Sequence, residues 1–269
     1  MNYLKSSQKF YLSLLLCPGY IVKKSLMNFI IMRIKKYLNR FLGYKYDLPS
    51  LTIVGVGPGD PSLLTIAAVK AIKNSKVILF PISSDDKKSL SAEIVREHIK
   101  FKKKIPIIFP MARKEFDPDE IWSNAVEMIV EFIRNYESVV LLCLGDTSLF
   151  ASSSNILRIL KKRFPEIVTK TIPGISSLSA TAALSNFDLV KKGETLIIKE
   201  CPSSESELIS LLSHIRENKT VLALMKVGKR WNYVKKILKK EQIIQQCLIA
   251  LNIGTVSYTH LTLPTICSV

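Results

Sequence analysis

The chain has 269 residues, 48% of them hydrophobic and 23% charged, with a formal net charge of +17. That length buries one large core or two ordinary ones, and the composition is that of a soluble globular protein. Cys17, Cys143, Cys201, Cys247 and Cys267 form no CxxC pair and His98, His214 and His260 are equally scattered, so no metal cage or disulfide framework is indicated and a reducing cytoplasm is the natural compartment.

The charge is uneven along the chain. Residues 1–50 carry nine Lys or Arg against one Asp. A basic excess concentrates anionic partners, but nucleic acid, a membrane surface and a polycarboxylate small molecule all satisfy it. The apolar run 10–22 follows "MNYLKSSQK" much as a signal peptide would. It is about half the ~20 residues of a spanning helix, and Pro18-Gly19 breaks it. The stretch "MNFIIMRIKKYLNRFLGYKY" mixes Ile, Leu and Phe with Arg and Lys in a helical rhythm, which would suit lying on an anionic membrane. The preferred reading of 1–50 is a basic extension, disordered or wrongly included, with Met27 and Met32 as alternative starts.

From Leu51 onward, apolar runs alternate with amphipathic segments. "LTIVGVG", "KVILF", "KIPIIF", "VVLLCLG", "VTKTIP", "TLIIK", "TVLALM" and "CLIALN" read as strands, most of them apolar enough for burial on both faces. The clearest helix begins at Asp117, with Pro118 at its first position and Glu120 three residues after the cap. Ile121, Ala125, Met128, Ile129, Phe132 and Ile133 then form one apolar stripe. Such alternation predicts α/β architecture with largely parallel sheets. The strands suit one sheet, or two smaller sheets divided near residues 188–194 with a cleft between them. The last 15 residues, "TVSYTHLTLPTICSV", break the strand pattern and lack a helical period. They resemble a translated sequencing-adaptor read-through, so the natural sequence is expected to depart after Gly254. The expected domains are 51–188, an α/β domain with glycine-rich loops, and 189–254, a truncated second α/β domain.

The turn "VGVGPGDP" tests a dinucleotide fingerprint. Counting from Gly55, the third glycine of G-x-G-x-x-G falls on Asp60, and the second strand ends "LFPISS" with no acid before Asp85. The fingerprint fails on both counts. The turn instead offers bare backbone at Gly55, Gly57 and Gly59, stiffened by Pro58, with Asp60 placed as a helix cap. Three more strand ends carry similar loops: "LCLGDTSLF", "IPGISSLSATAALS" and "VLALMKVGK". Loops at strand carboxyl ends are where an open α/β sheet assembles a ligand site.

"VGVGPGDPSLLT", "LGDTSLF", "IPGISSLSA" and "ALMK", in that order, resemble the tetrapyrrole methylase family. "FPMARKEFDPDEIW" at 109–122 is similar to the precorrin-2 C(20)-methyltransferase branch of that family, as is "GDTSLFASSSNIL". In the latter, Pro, Tyr, Ser and Thr are usual where this chain has Thr147, Phe150, Ala151 and Ser152. The resemblance runs from Leu51 to about Gly254.

It implies a two-domain class III methyltransferase fold, α/β with mixed, largely parallel sheets and the active site in the cleft between domains, and a homodimer. It further implies S-adenosylmethionine bound folded up, largely through main chain. Carried over by motif, Pro58 and Gly59 lie against the cofactor, and Leu144, Gly145, Asp146 and Leu149 surround its methionine end. Ser176 and Ser177 follow the Pro-Gly turn, and Met225 and Ala250 flank the adenine. No metal is implied, and no residue is singled out as the proton acceptor; Pro81 stands where some branches carry an Asp. The substrate would be an anionic tetrapyrrole, precorrin-2 or cobalt-factor II, with Arg113 and Lys114 as its cations and Lys87 and Lys88 behind them. Trp122 is expected in the core. A related methylase acting on another tetrapyrrole or on ribosomal RNA is a rival, although no Glu-Asp-Thr-Arg-like segment follows the second strand and no nucleic acid is expected. A degenerate cofactor-binding protein is another.

Overall fold

A computed structural model describes residues 34, 50–83, 88–109, 118–136, 138–216, 219–255 and 259–262. The readings made above on the N-terminal extension, Asp85, Lys87, Arg113, Lys114 and Asp117 lie outside the described residues. Pro49–Val269 is one compact unit.

Strands and helices alternate as the apolar periodicity predicts. In chain order they are β1 (Ser50–Gly55), α1 (Ile66–Asn74), β2 (Val77–Ile82), α2 (Leu90–Ile94), β3 (Lys103–Ile108), α3 (Pro118–Tyr136), β4 (Ser138–Cys143), α4 (Ser153–Arg163) and β5 (Val168–Ile172). They continue with α5 (Ser177–Leu184), β6 (Thr195–Glu200), α6 (Glu205–Arg216), β7 (Thr220–Met225), α7 (Trp231–Lys240), β8 (Leu248–Leu251) and β9 (Thr259–Thr262). The first five strands form a wholly parallel sheet in the order β3-β2-β4-β1-β5. β6 and β7 pair in parallel separately, and β8 and β9 pair antiparallel. Several sheets, not one, are therefore present among the described residues.

The period-two rhythm of the central strands divides the core into two layers. From β1 and β4, Leu51, Ile53, Val139 and Leu141 face α3 and α4, where Val126, Ile129, Ile133, Ile156 and Leu160 close the layer. Val54, Val56, Val140 and Leu142 face the other way, onto Ala68 and Ile72 of α1 and Ile94 of α2. A third cluster joins α6 and α7 through Leu208, Leu212, Val234, Ile237 and Leu238.

Three expectations are corrected. Burial on both faces holds for β1 and β4 and the first half of β2, whereas β3 and β5 expose alternate or successive residues because they are sheet edges. Pro106 sits in edge strand β3, and Pro81 lies beyond the point where β2 leaves β4, so neither interrupts a central ladder. On α3 the buried stripe is Trp122, Ala125, Val126, Ile129, Val130 and Ile133, and Met128 lies off it, 44% exposed. Finally, the tail contains a strand: Thr259–Thr262 pairs with β8, His260 opposite Ala250. Trp122 is in the core as expected, edge-on to Phe109 with ring centroids 4.9 Å apart. Among the described residues no helix is long and apolar enough to cross a membrane.

The corrected stripe is testable. Ile129→Ala should cost about 2–5 kcal/mol of unfolding free energy by leaving a cavity, and Met128→Ala should stay within about 0.5 kcal/mol. Urea unfolding of both variants measures the difference.

Candidate functional site

All five strands of the main sheet point the same way, so their carboxyl ends lie along one edge, and the glycine-rich loops leave from there. β1 and β4 end in register, Gly55 opposite Cys143. Val56 N donates to Cys143 O at 2.9 Å, after which both chains turn toward each other. Gly57 N donates to Gly145 O at 3.2 Å and Gly145 N to Gly57 O at 2.8 Å, a single antiparallel bridge. Gly57 and Gly145 have φ of +78° and +72°, a region that side chains disfavour.

The β5 loop joins the pair through main-chain contact. A methyl group on Gly55 would stand 2.5 Å from Gly174 N and 2.8 Å from Gly145 O. One on Gly174 would collide with Gly145 O and stand 2.7 Å from Gly55 C. The three loops approach this closely only because neither Gly55 nor Gly174 carries a Cβ. Beside Gly145 the opposite holds: a Cβ would meet nothing within 4 Å, so open space borders that bend.

Asp146 locks the arrangement. Its Oδ1 accepts from Ser148 N at 2.7 Å and from the Ser148 hydroxyl, and its Oδ2 accepts from Gly174 N at 3.1 Å. Burial pushes the carboxyl up, but these donors together with the Thr147 amide outweigh it and hold the group below its ordinary value. Asp146 is thus an ionised brace between the β4 and β5 loops.

Three further loops complete the set. A methyl on Gly59 would collide with Ile253 O and stand 2.7 Å from Gly254 C, so the turn after β8 lies directly on the β1 loop. Beyond β7, the Lys226 ammonium stands over the Phe150 ring of the β4 loop, 5.9 Å from its centroid. The loop after β6 is braced from the other side. The Arg230 guanidinium and the Tyr233 hydroxyl donate to Cys201 O and Pro202 O, and Arg230 pairs with Glu200 at 3.5 Å.

The loops that carry the glycine motifs are therefore in contact with one another. Pro58 and Gly59 are buried, Leu144 is exposed, and Gly145, Asp146 and Leu149 are half-buried. Ser176 is used as the α5 cap, accepting from Ser179 N at 3.1 Å, and the carbonyl of Ser177 accepts from Thr181 Oγ1 at 2.7 Å. Met225 and Ala250 are half-buried in β7 and β8. Asp60 caps the single turn Pro61–Leu63, as the cap reading expects, while α1 takes Thr65 as its own cap. Cys143 is buried and its thiol is pushed up by that burial, which makes it a poor nucleophile. Motif reading missed the contact roles of Gly174, Phe150 and Lys226. All three stand inside the quoted motifs, but a motif does not say which residue touches which.

Residues 50–263 match the family described as Tetrapyrrole (Corrin/Porphyrin) Methylases. A "Probable cobalt-precorrin-2 C(20)-methyltransferase" of Methanocaldococcus jannaschii is 34% identical over 145 residues, 54% of this chain and 61% of that protein. A cobalt-precorrin-2 C(20)-methyltransferase of Salmonella typhimurium is 24% identical over 200 residues, 74% of this chain and 81% of that protein. A cobalt-precorrin-4 C(11)-methyltransferase of Methanocaldococcus jannaschii is 31% identical over 148 residues, 54% of this chain and 51% of that protein. The chain thus spans under two thirds of the length of two of these relatives. Among solved structures, a cobalt precorrin-4 methyltransferase aligns with a TM-score of 0.61 at 20% identity, over 79% of this chain and 84% of that one. A uroporphyrin-III C-methyl transferase from Thermus thermophilus, complexed with S-adenyl homocysteine, aligns with a TM-score of 0.54 at 18% identity, over 79% and 86%. The expected α/β fold with a parallel sheet is the fold these structures share.

Two measurements probe the loop junction. Gly174→Ala should destabilise by about 3 kcal/mol or more, since a main-chain oxygen occupies the space the methyl needs. For Asp146, a folded-state value below the unfolded one means stabilisation that is present above about pH 4 and is lost as the pH falls through the folded value. Thermal midpoints of wild type and Asp146→Asn should therefore differ near about pH 7 and converge on acidification below about pH 4.

Proposed function

The chain belongs to the tetrapyrrole methylases, and on that premise we propose that it transfers a methyl group from S-adenosylmethionine to a ring carbon of an anionic tetrapyrrole in corrin biosynthesis. The finer reading is carbon 20 of precorrin-2 or cobalt-factor II. Two of the relatives above carry that name, and the "FPM" and Trp122 segment resembles the same branch. In the same reading the protein is a cytoplasmic homodimer with domains at 51–188 and 189–254.

The observation that carries the proposal is the junction of loops at the strand ends. It offers main-chain groups and an open space beside Gly145, with Asp146 ionised next to it. That donor set fits a ligand carrying an ammonium and a sulfonium, and no metal is called for. When bound, S-adenosylmethionine supplies a methyl group already made electrophilic by the sulfonium. The protein's part is placement: the loops of β1, β4 and β5 hold the donor side rigid, so that donor and acceptor atoms meet in line at ~3–3.5 Å. Pro58, Gly59, Leu144 and Leu149 would hold the cofactor, and main-chain carbonyls would favour its positive charge. The ring carbon then loses its proton, and Asp146 is a poor acceptor for it because its oxygens are occupied by Ser148 and Gly174.

Full-length protein incubated with methyl-labelled S-adenosylmethionine and precorrin-2 or cobalt-factor II should yield a singly methylated product, with the label at carbon 20 by NMR. Label at a ring carbon other than 20, or transfer only when another tetrapyrrole is supplied, would replace the branch and keep the reaction. Transfer to RNA in place of any tetrapyrrole, or no uptake of the methyl donor, would overturn the reading.

A further inference from the structure

Five non-glycine residues have positive φ among the described residues: Phe150, Asn186, Lys226, Gln242 and Asn252. Asparagine tolerates this region through its short polar side chain. Gln242 directly follows the cap of α7 and donates to Lys239 O at 3.1 Å, an ordinary way to end a helix. Phe150, at +51°, and Lys226, at +55°, have neither excuse. They are a bulky aromatic and a long cation, they lie 76 positions apart by their numbers in the chain, and they meet each other. Glycine is available to the same loop and is used two residues later at Gly228, with φ of +48°. Backbone held in a disfavoured region on both sides of one contact points to side chains aimed for a purpose.

Charge and exposure say what that purpose is. Lys226 is exposed, and no carboxylate among the described residues pairs with it. Arg230, in the same loop, is by contrast held by Glu200 and Cys201 O. The 5.9 Å separation from the Phe150 ring is near the outer limit for a cation–π contact, so the ring steers the ammonium without neutralising it. Phe150 itself is 37% exposed although large and apolar. An exposed aromatic ring with an unneutralised ammonium over one of its faces matches a macrocycle rimmed with carboxylates, which can pack on the ring's other face or edge.

We propose that Phe150 and Lys226 together receive the acceptor, the ring packing on the tetrapyrrole face and the ammonium pairing with a peripheral carboxylate. This rests on the methyl-transfer reading above and assigns the acceptor side of the same site to residues that neither the motif carry-over nor the Arg113 and Lys114 expectation named.

The test uses full-length protein, uroporphyrin III as a stable polycarboxylate probe and S-adenosylhomocysteine as the donor-side probe, each followed by direct titration. Lys226→Met should weaken uroporphyrin binding about fivefold or more and flatten its salt dependence, with S-adenosylhomocysteine binding unchanged. Lys226→Arg should retain most of the affinity. Phe150→Ala should weaken binding while leaving the salt dependence intact. Lys226→Gly separates recognition from folding. Glycine suits φ of +55°, so the thermal midpoint should hold or rise while uroporphyrin affinity falls as in the Met variant. Equal uroporphyrin affinity in wild type and Lys226→Met, or no uroporphyrin binding by a wild type that does bind S-adenosylhomocysteine, overturns the inference alone. No S-adenosylhomocysteine uptake by wild type overturns the methyl-transfer reading and this inference with it.

Discussion

Where β1, β4 and β5 end, three main chains lie against one another with no side chain between them. Gly55 and Gly174 have no room for a methyl group, since each is pressed against the other's backbone and against the Gly145 carbonyl. Burying bare backbone this way is affordable only because the polar groups find partners across the junction: Gly57 with Gly145, and Gly174 N with Asp146. The rest of the site inherits its geometry from this contact. Separate the loops by one carbon atom, and the Gly57–Gly145 bridge, the Asp146 brace and the open space beside Gly145 lose their common frame.

The junction also sorts charge by loop. Where β1, β4 and β5 end it is main chain plus one carboxylate already committed to three donors. Lys226, on the loop after β7, is exposed, with its ammonium unneutralised among the described residues. For a methylase acting on a polycarboxylate this order is physically sensible. In the proposed reaction a positively charged donor would meet carbonyls and a carboxylate, and an anionic acceptor would meet a cation. Oriented dipoles fixed before binding favour the reacting charges without reorganisation. A lysine among those carbonyls would repel the donor it had to hold.

The elements were legible in the sequence because their causes are local. Runs such as "VVLLCLG" and "TVLALM" have strand length and strand composition, and each forms a strand. Asp60 could be read as a cap because capping involves only the next few residues. The misses are tertiary. Met128 shares the apolar chemistry of Ile129, and only the direction of the sheet decides which of the two is buried. β3 and β5 read as core strands because a sequence does not declare sheet order. β9 has a polar, broken pattern and exists by pairing with β8. Of the candidate site, the glycines were legible as permissive positions, but their partners were not, since a glycine carries no mark of what will press against it. The left-handed backbone at Phe150 and Lys226 is less legible still: glycine and asparagine announce that conformation, and phenylalanine and lysine do not.

That contrast bears on how a branch of a family is recognised. Phe109 and Trp122, from the segment that most resembles one branch, are a core pair whose rings pack edge-on between β3 and α3. Such a pair records how the sheet is covered. Selection among tetrapyrroles must act where the acceptor is touched, and loops can change there without disturbing the layers beneath. Packing residues therefore identify the lineage of the scaffold more firmly than its acceptor. The relatives named for carbon 20 and for carbon 11 match this one chain at 34% and 31% identity, as expected if most shared positions maintain the layers and a few rim residues choose the substrate.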